Sequence, residues 1–256
     1  MSESIEQYLH QLGRIIHLLL GDNLVGTYLH GSAVLGGFNP ARSDLDVLVV
    51  VDDPVAADTR RAFVERVSES TLPCPAAGLE LSVVRLSAAQ HPAPSTAYEL
   101  HINTHDNKVV EDNGRGDPDL ILHFLICRQH GRLLGAGRRA SSVFAPLPTP
   151  MVLDQFRNEL EWAMKDPDVP SRYLVLNAAR NWYFIETGHV ISKIAGGGWA
   201  RAHIPDPAVI DAALEDQEDD TSGQAQRTDP AEARRFAAEV LEKIKAAIAH
   251  HRPGTA

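Results

Sequence analysis

The chain has 256 residues, 44% hydrophobic and 23% charged, enough for one large domain or two small ones with real cores, and too apolar for a disordered chain. Its 24 basic and 34 acidic residues leave a formal charge of −10 with histidine neutral; without a basic stripe, that balance opposes a nucleic-acid backbone and suits a cationic small molecule. Cys74 and Cys127 are the two cysteines, which excludes a disulfide scaffold, and neither lies in a zinc-ligand spacing. No apolar run reaches the roughly 20 residues that cross a bilayer, and MSESIEQYLHQLGR lacks the layout of a signal peptide, so the sequence predicts a soluble cytoplasmic protein with no membrane partner.

Ile5, Tyr8, Leu9, Leu12, Ile15, Ile16 and Leu19 recur at helical spacing up to Gly21, predicting an amphipathic first helix. LVGTYLH (24–30) reads as a strand, Gly31-Ser32 opens a short helix, Gly36-Gly37 breaks it, and DLDVLVVV (44–51) is apolar enough for a strand buried on both faces. A helix from about Pro54 to Ser70 leads to a third strand, LELSVVRL (79–86), and YELHINTH (98–105) alternates like a strand. That alternation sets His101 and His105 apart from helical metal spacing. From Asp117 to Leu134 the period returns to 3.6, with Cys127 in LILHFLIC as a core thiol.

SSVFAPLPTP (141–150) carries three prolines and marks a domain boundary. Beyond it the pattern is helical over about 150–165, 170–187, 192–202, 206–217 and 229–250, with Pro205 and Pro230 at first-turn positions and EDQEDDTSGQ (215–224) as a solvated loop. The expected class is α+β: an α/β domain with a mixed sheet over 1–145, then an all-α bundle over 150–256. The last helices show no long heptad seam, so a monomer is expected.

Chemistry concentrates in HGSAVLGGFNPARSDLDVLVV (30–50). Gly31-Ser32 follows a strand and opens a helix, so backbone N–H groups and a hydroxyl face whatever sits above the strand end, a phosphate-binding arrangement. Ser43-Asp44-Leu45-Asp46 then starts the next strand, where residues i and i+2 share a face, so Asp44 and Asp46 point toward one ligand. Two like charges held that close repel unless a cation compensates, and magnesium with substrate phosphates is the natural candidate. Glu80 is the sole carboxylate inside the third strand; if that strand pairs beside the Asp44/Asp46 strand, Glu80 completes a cluster able to bind metal, take a proton, or both.

At these residues the sequence resembles the nucleotidyltransferase superfamily that shares the DNA polymerase β catalytic core: an apolar strand, Gly-Ser, then Asp-x-Asp. Further on, RYLVLNAARNWYFIETGHVISKIAGGGWARAHIP (172–205) is similar to the helical domain of the aminoglycoside adenylyltransferases acting on streptomycin and spectinomycin, carried by Arg180, Trp182, Tyr183, Thr187, Gly188, Lys193, Trp199 and Pro205. The resemblance implies that Gly31, Ser32 and Ser43 hold the ATP phosphates, that Asp44, Asp46 and Glu80 bind magnesium, two ions in that picture, and that Glu80 is also the general base. It implies that Arg180 and Lys193 reach the triphosphate from the helical domain, and it aligns Asp119 with an acidic residue of the acceptor cleft.

By the same resemblance Trp162 and Asp166 are near matches, one residue closer together, to a Trp and an Asp that streptomycin use requires; the competing readings are a core aromatic and a helix-ending loop residue. Two positions depart from the family. His105 stands where a substrate-stacking Trp is expected, and a nucleotide-side Tyr expected near Asp219 is missing. The implied activity is Mg-ATP-dependent transfer of AMP to a hydroxyl of a small aminoglycoside or aminocyclitol. The rivals are another acceptor on the same fold and a catalytically silent nucleotide-binding domain.

Overall fold

A computed structural model describes residues 1–218 and 227–251. The chain divides into two compact units, Met1–Leu147 and Pro148–Ala256.

The first unit opens with α1 (Glu3–Leu20), whose Ile5, Tyr8, Leu9, Leu12, Ile16 and Leu20 form its buried face. A short 3-10 turn (Gly21–Asn23) leads to β1 (Leu24–Leu29), α2 (Ser32–Leu35), β2 (Leu45–Val51), α3 (Ala57–Val67) and β3 (Leu79–Arg85). Then follow α4 (Leu86–Gln90), β4 (Leu100–Asn103), β5 (Lys108–Val110), α5 (Leu120–His130), β6 (Arg132–Leu133) and α6 (Ala140–Val143). The six strands make one sheet in the order β5-β4-β3-β2-β1-β6. Only β2 and β3 run parallel; the other neighbours are antiparallel. The crossover helix α3 explains that single parallel pair, since parallel strands cannot be joined by a hairpin.

The central strand β2 buries both faces, as its unbroken Val/Leu run predicts. On one face Leu45, Val47, Val49 and Val51 pack with Leu79, Leu81, Val83 and the apolar stripe of α1. On the other, Leu48, Val50 and Val84 pack with Leu120, Phe124 and Cys127 of α5 and with Phe144. Tyr28, fully buried, meets Phe144 edge-on at 5.1 Å and donates its hydroxyl to the Arg138 carbonyl at 2.8 Å.

Two short strands are absent from the sequence reading. β5 follows a turn at Asn107, which sits at φ +50°. The helical reading of 117–134 ends too late: Gly131 terminates α5, and Arg132 and Leu133 pair with Leu29 and Tyr28 at the sheet edge. Their backbone groups found a strand partner, which apolar periodicity does not reveal.

Among the described residues the elements of the second unit are all helices: α7 (Thr149–Lys165), α8 (Ser171–Thr187), α9 (Lys193–Arg201), α10 (Ala208–Glu218) and α11 (Pro230–His251). Phe156 of α7 meets Phe184 of α8 edge-on at 5.3 Å, and Trp182 meets Trp199 of α9 at 5.1 Å. Lys243 of α11 places its Nζ 4.7 Å above Trp182. Pro230 does occupy the first position of α11. At α10 the proline before the helix is Pro207, whose carbonyl accepts from Ile210 and Asp211, rather than Pro205.

The acidic stretch also departs from a plain loop: Glu215–Glu218 belong to α10, and Asp216 accepts from the Thr228 hydroxyl at 2.6 Å and from the Arg227 and Thr228 amides. Its remainder, with Asp219, lies outside the described residues. Among the described residues no helix is long and apolar enough to cross a membrane.

Candidate active site

The site grows from the turn after β1. The His30 amide donates to the Asp46 carbonyl at 2.9 Å, extending the β1/β2 ladder by one residue. Gly31 then turns the chain at φ +62° and ψ −148°. A Cβ there would lie 1.8 Å from Asp46 Oδ2 and 2.5 Å from its Cγ. Only glycine allows both that backbone and that approach, so the turn lies directly against the Asp46 carboxylate. Ser32 is the first residue of α2.

Ser43 is fixed inside its own loop: its amide donates to the Asn39 carbonyl at 2.7 Å, and its Oγ accepts from the Asn39 amide at 3.1 Å. Ala77 donates to the Ser43 carbonyl at 3.3 Å and Leu45 to the Gly78 carbonyl at 2.8 Å, which ties the Ser43–Leu45 segment to the entry of β3.

The parallel β2/β3 register places Asp46 opposite Glu80, and the β3/β4 register places Glu80 opposite Asn103. Registered residues share a face with Cβ atoms about 5 Å apart, so Asp46 and Glu80 stand side by side, with Asp44 two residues ahead. Asp44 Oδ1 is buried with no hydrogen-bond partner. Burial, and then the Glu80 charge, hold the Asp44 carboxyl above the usual carboxylate range, while His105 opposes them.

His105 lies in the turn after β4, where its Nδ1–H donates to the Ala77 carbonyl at 3.1 Å. A Cβ on Gly78 would come within 2.9 Å of both Asp44 Oδ1 and His105 Cβ, so the two flank that glycine. The structure thus brings His105 to the rim of the carboxylates.

A buried, unsatisfied carboxylate oxygen in an all-oxygen donor set fits a hard divalent cation. Among the described residues no group of three or more His, Cys, Asp or Glu side chains is placed to hold a metal ion. Magnesium takes one or two protein carboxylates and fills its shell with waters and substrate phosphates, a demand the registered Asp46 and Glu80 pair could meet.

Behind this row lies a group of imidazoles, His30, His101 and His123; the sequence offers His30 as a nucleotide contact or a strand-end packing residue and sets His101 apart from metal spacing, but does not reveal that they meet His123. His30, 3% exposed, packs on His123 of α5 with ring centroids 4.8 Å apart, and burial followed by the His123 charge holds it well below the usual imidazole range. His101 Nδ1 is 2.9 Å from Ser82 Oγ; burial lowers its pKa, against Glu80 and Asp117, which raise it. Asp119 is exposed just before α5, one turn ahead of His123, and its amide donates to Asp117 Oδ1 at 2.9 Å.

In the helical unit, Arg180 sits on α8, with its Nη2 3.5 Å from Glu159 Oε1 of α7. Lys193 opens α9, whose N-cap Ser192 accepts from the Ala195 amide, and its Nζ lies 4.1 Å from the Tyr173 ring centroid. Trp162 is 53% exposed, which overturns the core reading. The buried stripe of α7 runs through Val152, Phe156, Leu160 and Ala163, and residue 162 falls off it. Asp166 caps the C-terminal end of α7 and accepts from the Asp168 amide at 2.9 Å, so the loop role is real. Glu159 and Tyr173 carried no sequence signal.

A Gly-Ser turn against paired strand carboxylates on this mixed sheet defines a nucleotidyltransferase. Residues 19–84 match the model of the nucleotidyltransferase domain, and residues 142–243 match that of the aminoglycoside adenylyltransferase C-terminal domain. Both parts of the chain are thus similar to the aminoglycoside adenylyltransferases, and the chain is an adenylyltransferase. Spectinomycin 9-adenylyltransferase of Staphylococcus aureus is 28% identical over 207 residues, covering 75% of this chain and 76% of the relative. The Enterococcus faecalis enzyme of the same name is 34% identical over 61 residues, 24% of each chain. The crystal structure of spectinomycin adenyltransferase AAD(9) from Enterococcus faecalis, with ATP and spectinomycin, shares the fold: TM-score 0.71, 16% identity, covering 93% of this chain and 98% of that one.

Proposed function

We propose that this chain transfers AMP from ATP to a hydroxyl of spectinomycin or streptomycin, with magnesium, and so confers resistance. The observation that carries the reading is the registered Asp46/Glu80 pair with the unsatisfied Asp44 carboxyl beside it, beneath the Gly31 turn. Asp46 and Glu80, with Asp44 beside them, are the residues that would hold magnesium. When bound, the metal neutralises phosphate charge and activates the α-phosphorus.

The chain's own groups do the rest. The Gly31-Ser32 turn and Ser43 offer donors to the phosphates, and Arg180 and Lys193 add cations for the triphosphate. Glu80 accepts the proton of the acceptor hydroxyl, the freed oxygen forms a bond to the α-phosphorus in line, and the bond to pyrophosphate breaks. Asp119, Trp162 and Asp166 are the acceptor-side candidates: carboxylates suit a polycationic drug, and the exposed Trp162 ring offers a stacking face. His105, beside Asp44, takes the place of a larger stacking ring.

The test is pyrophosphate release by the purified protein with Mg-ATP, offered spectinomycin and streptomycin separately, with Glu80→Gln as the blank. Acceptor-dependent release that vanishes in the variant is the expected result. Mg-ATP binding with no release for either drug would overturn the acceptor assignment and point to another hydroxylated small molecule.

A further inference from the structure

We infer that Glu159 is a positioning residue for nucleotide binding: its carboxylate, anchored by Tyr173, holds the Arg180 guanidinium pointed for a phosphate. The inference rests on the reading that Arg180 binds the triphosphate. Glu159 and Arg180 are 14% and 17% exposed in their side chains, and Arg180 Nη2 lies 3.5 Å from Glu159 Oε1. The same Oε1 accepts the Tyr173 hydroxyl at 3.0 Å. Tyr173 and Arg180 are seven residues apart on α8, two turns along one face. Burial and the Glu159 charge hold the Tyr173 hydroxyl well above its usual range, so it stays a neutral donor.

Two further features argue for a held cation rather than a neutralised one. Arg180 Nε is buried with no hydrogen-bond partner. Glu159 Oε2 is likewise buried without a partner, so the pair meets through Nη2 and Oε1 alone, and the Nη1 donors are left for a phosphate. Second, α9 closes on this point. A Cβ on Gly196 would come within 2.8–2.9 Å of the Arg180 Cα, Cβ and N. That glycine lets α9 ride against the Arg180 backbone and keeps Lys193, one turn earlier, over the Tyr173 ring. Three helices thus meet around one pair of cations.

Plain Coulomb reasoning gives the opposite sign for Glu159, because removing an anion beside Arg180 should tighten a triphosphate. If the carboxylate positions, its removal loosens ATP instead, since a free guanidinium must be ordered when ATP binds. The experiment measures Mg-ATP affinity by calorimetry, with KM for ATP and for the acceptor, in Glu159→Gln, Tyr173→Phe, Arg180→Ala and Glu159→Gln/Arg180→Ala.

Glu159→Gln should weaken ATP about three- to tenfold, the range for ordering one long side chain, and leave the acceptor KM unchanged. Tyr173→Phe should weaken ATP in the same direction but less, and it keeps the test open if Glu159→Gln folds poorly. In the Arg180→Ala background, Glu159→Gln should have no further effect on ATP. Unchanged or tighter ATP in Glu159→Gln, with Arg180→Ala still weakened, overturns the positioning role alone. Unchanged ATP in Arg180→Ala overturns the phosphate reading and this inference with it.

Discussion

Replacing Gly31 with alanine tests how the Gly-Ser turn and the carboxylate row depend on each other. The new Cβ would lie 1.8 Å from Asp46 Oδ2, about 1.2 Å inside the 3.0 Å floor that real Cβ contacts respect. The backbone at φ +62°, ψ −148° is also one that side chains rarely adopt, at about 1–3 kcal/mol of strain. Relieving the overlap by shifting Asp46 adds about 1–3 kcal/mol, so the total is roughly 2–6 kcal/mol of a domain stability of about 5–15. Because the group forced to move is a reacting-site carboxylate, a displacement near 1 Å should lower kcat about 10²-fold.

Gly36→Ala is the matched control. Gly36 sits at φ +83° with nothing within 4 Å of its added Cβ, so it should lose about 1–2 kcal/mol and keep its turnover. Thermal unfolding and acceptor-dependent pyrophosphate release on both variants decide the matter. Wild-type turnover in Gly31→Ala, or equal loss of turnover in both variants, would refute the packing of the turn on Asp46.

Three other outcomes follow from the same geometry. The Asp44 carboxyl is held above its ordinary range by burial and by Glu80, so the native state binds more protons than the unfolded chain between the two pKa values. Stability from this group therefore falls as pH rises through that window, and the penalty is complete at neutral pH. Asp44→Asn should melt higher than wild type at about pH 7 without divalent cations, with the gain fading toward about pH 4; a lower melting point at neutral pH would sink this. Asp46→Asn should lose the magnesium-dependent part of ATP affinity in calorimetry, and an unchanged affinity would remove Asp46 from the metal site. Asp166→Ala should impair streptomycin use more than spectinomycin use in paired kcat/KM measurements; equal losses would take Asp166 out of the acceptor site.

How much was legible in the sequence follows from the range of the interactions involved. Apolar periodicity carries α1, β2 and the helices of the second unit, because burying a stripe or a face is a local demand on spacing. The Gly-Ser pattern likewise reports a turn within a few residues, whereas Asp44 stands one residue ahead of β2, so that of the Asp-x-Asp pair Asp46 alone lies within the strand. Glu80 was a candidate on its strand alone, but its partnership was conditional on a pairing that no local pattern states. Only the sheet decided it: the parallel register that sets Glu80 opposite Asp46 depends on the α3 crossover and on what both strands bury.

The same holds for β6, where the apolar Leu133 and Leu134 continue a helical pattern while their backbone groups bond to β1. It holds for His123 against His30, joined from elements 93 residues apart, and for Glu159 against Arg180, which meet across two helices. The competing core reading of Trp162 errs the other way, since its place off the α7 stripe is legible in the spacing. Sequence by itself thus determined which segments fold and which residue types carry the chemistry. Tertiary structure decided which side chains meet, because contacts between distant elements depend on register and packing, and those are properties of the whole chain rather than of any window in it.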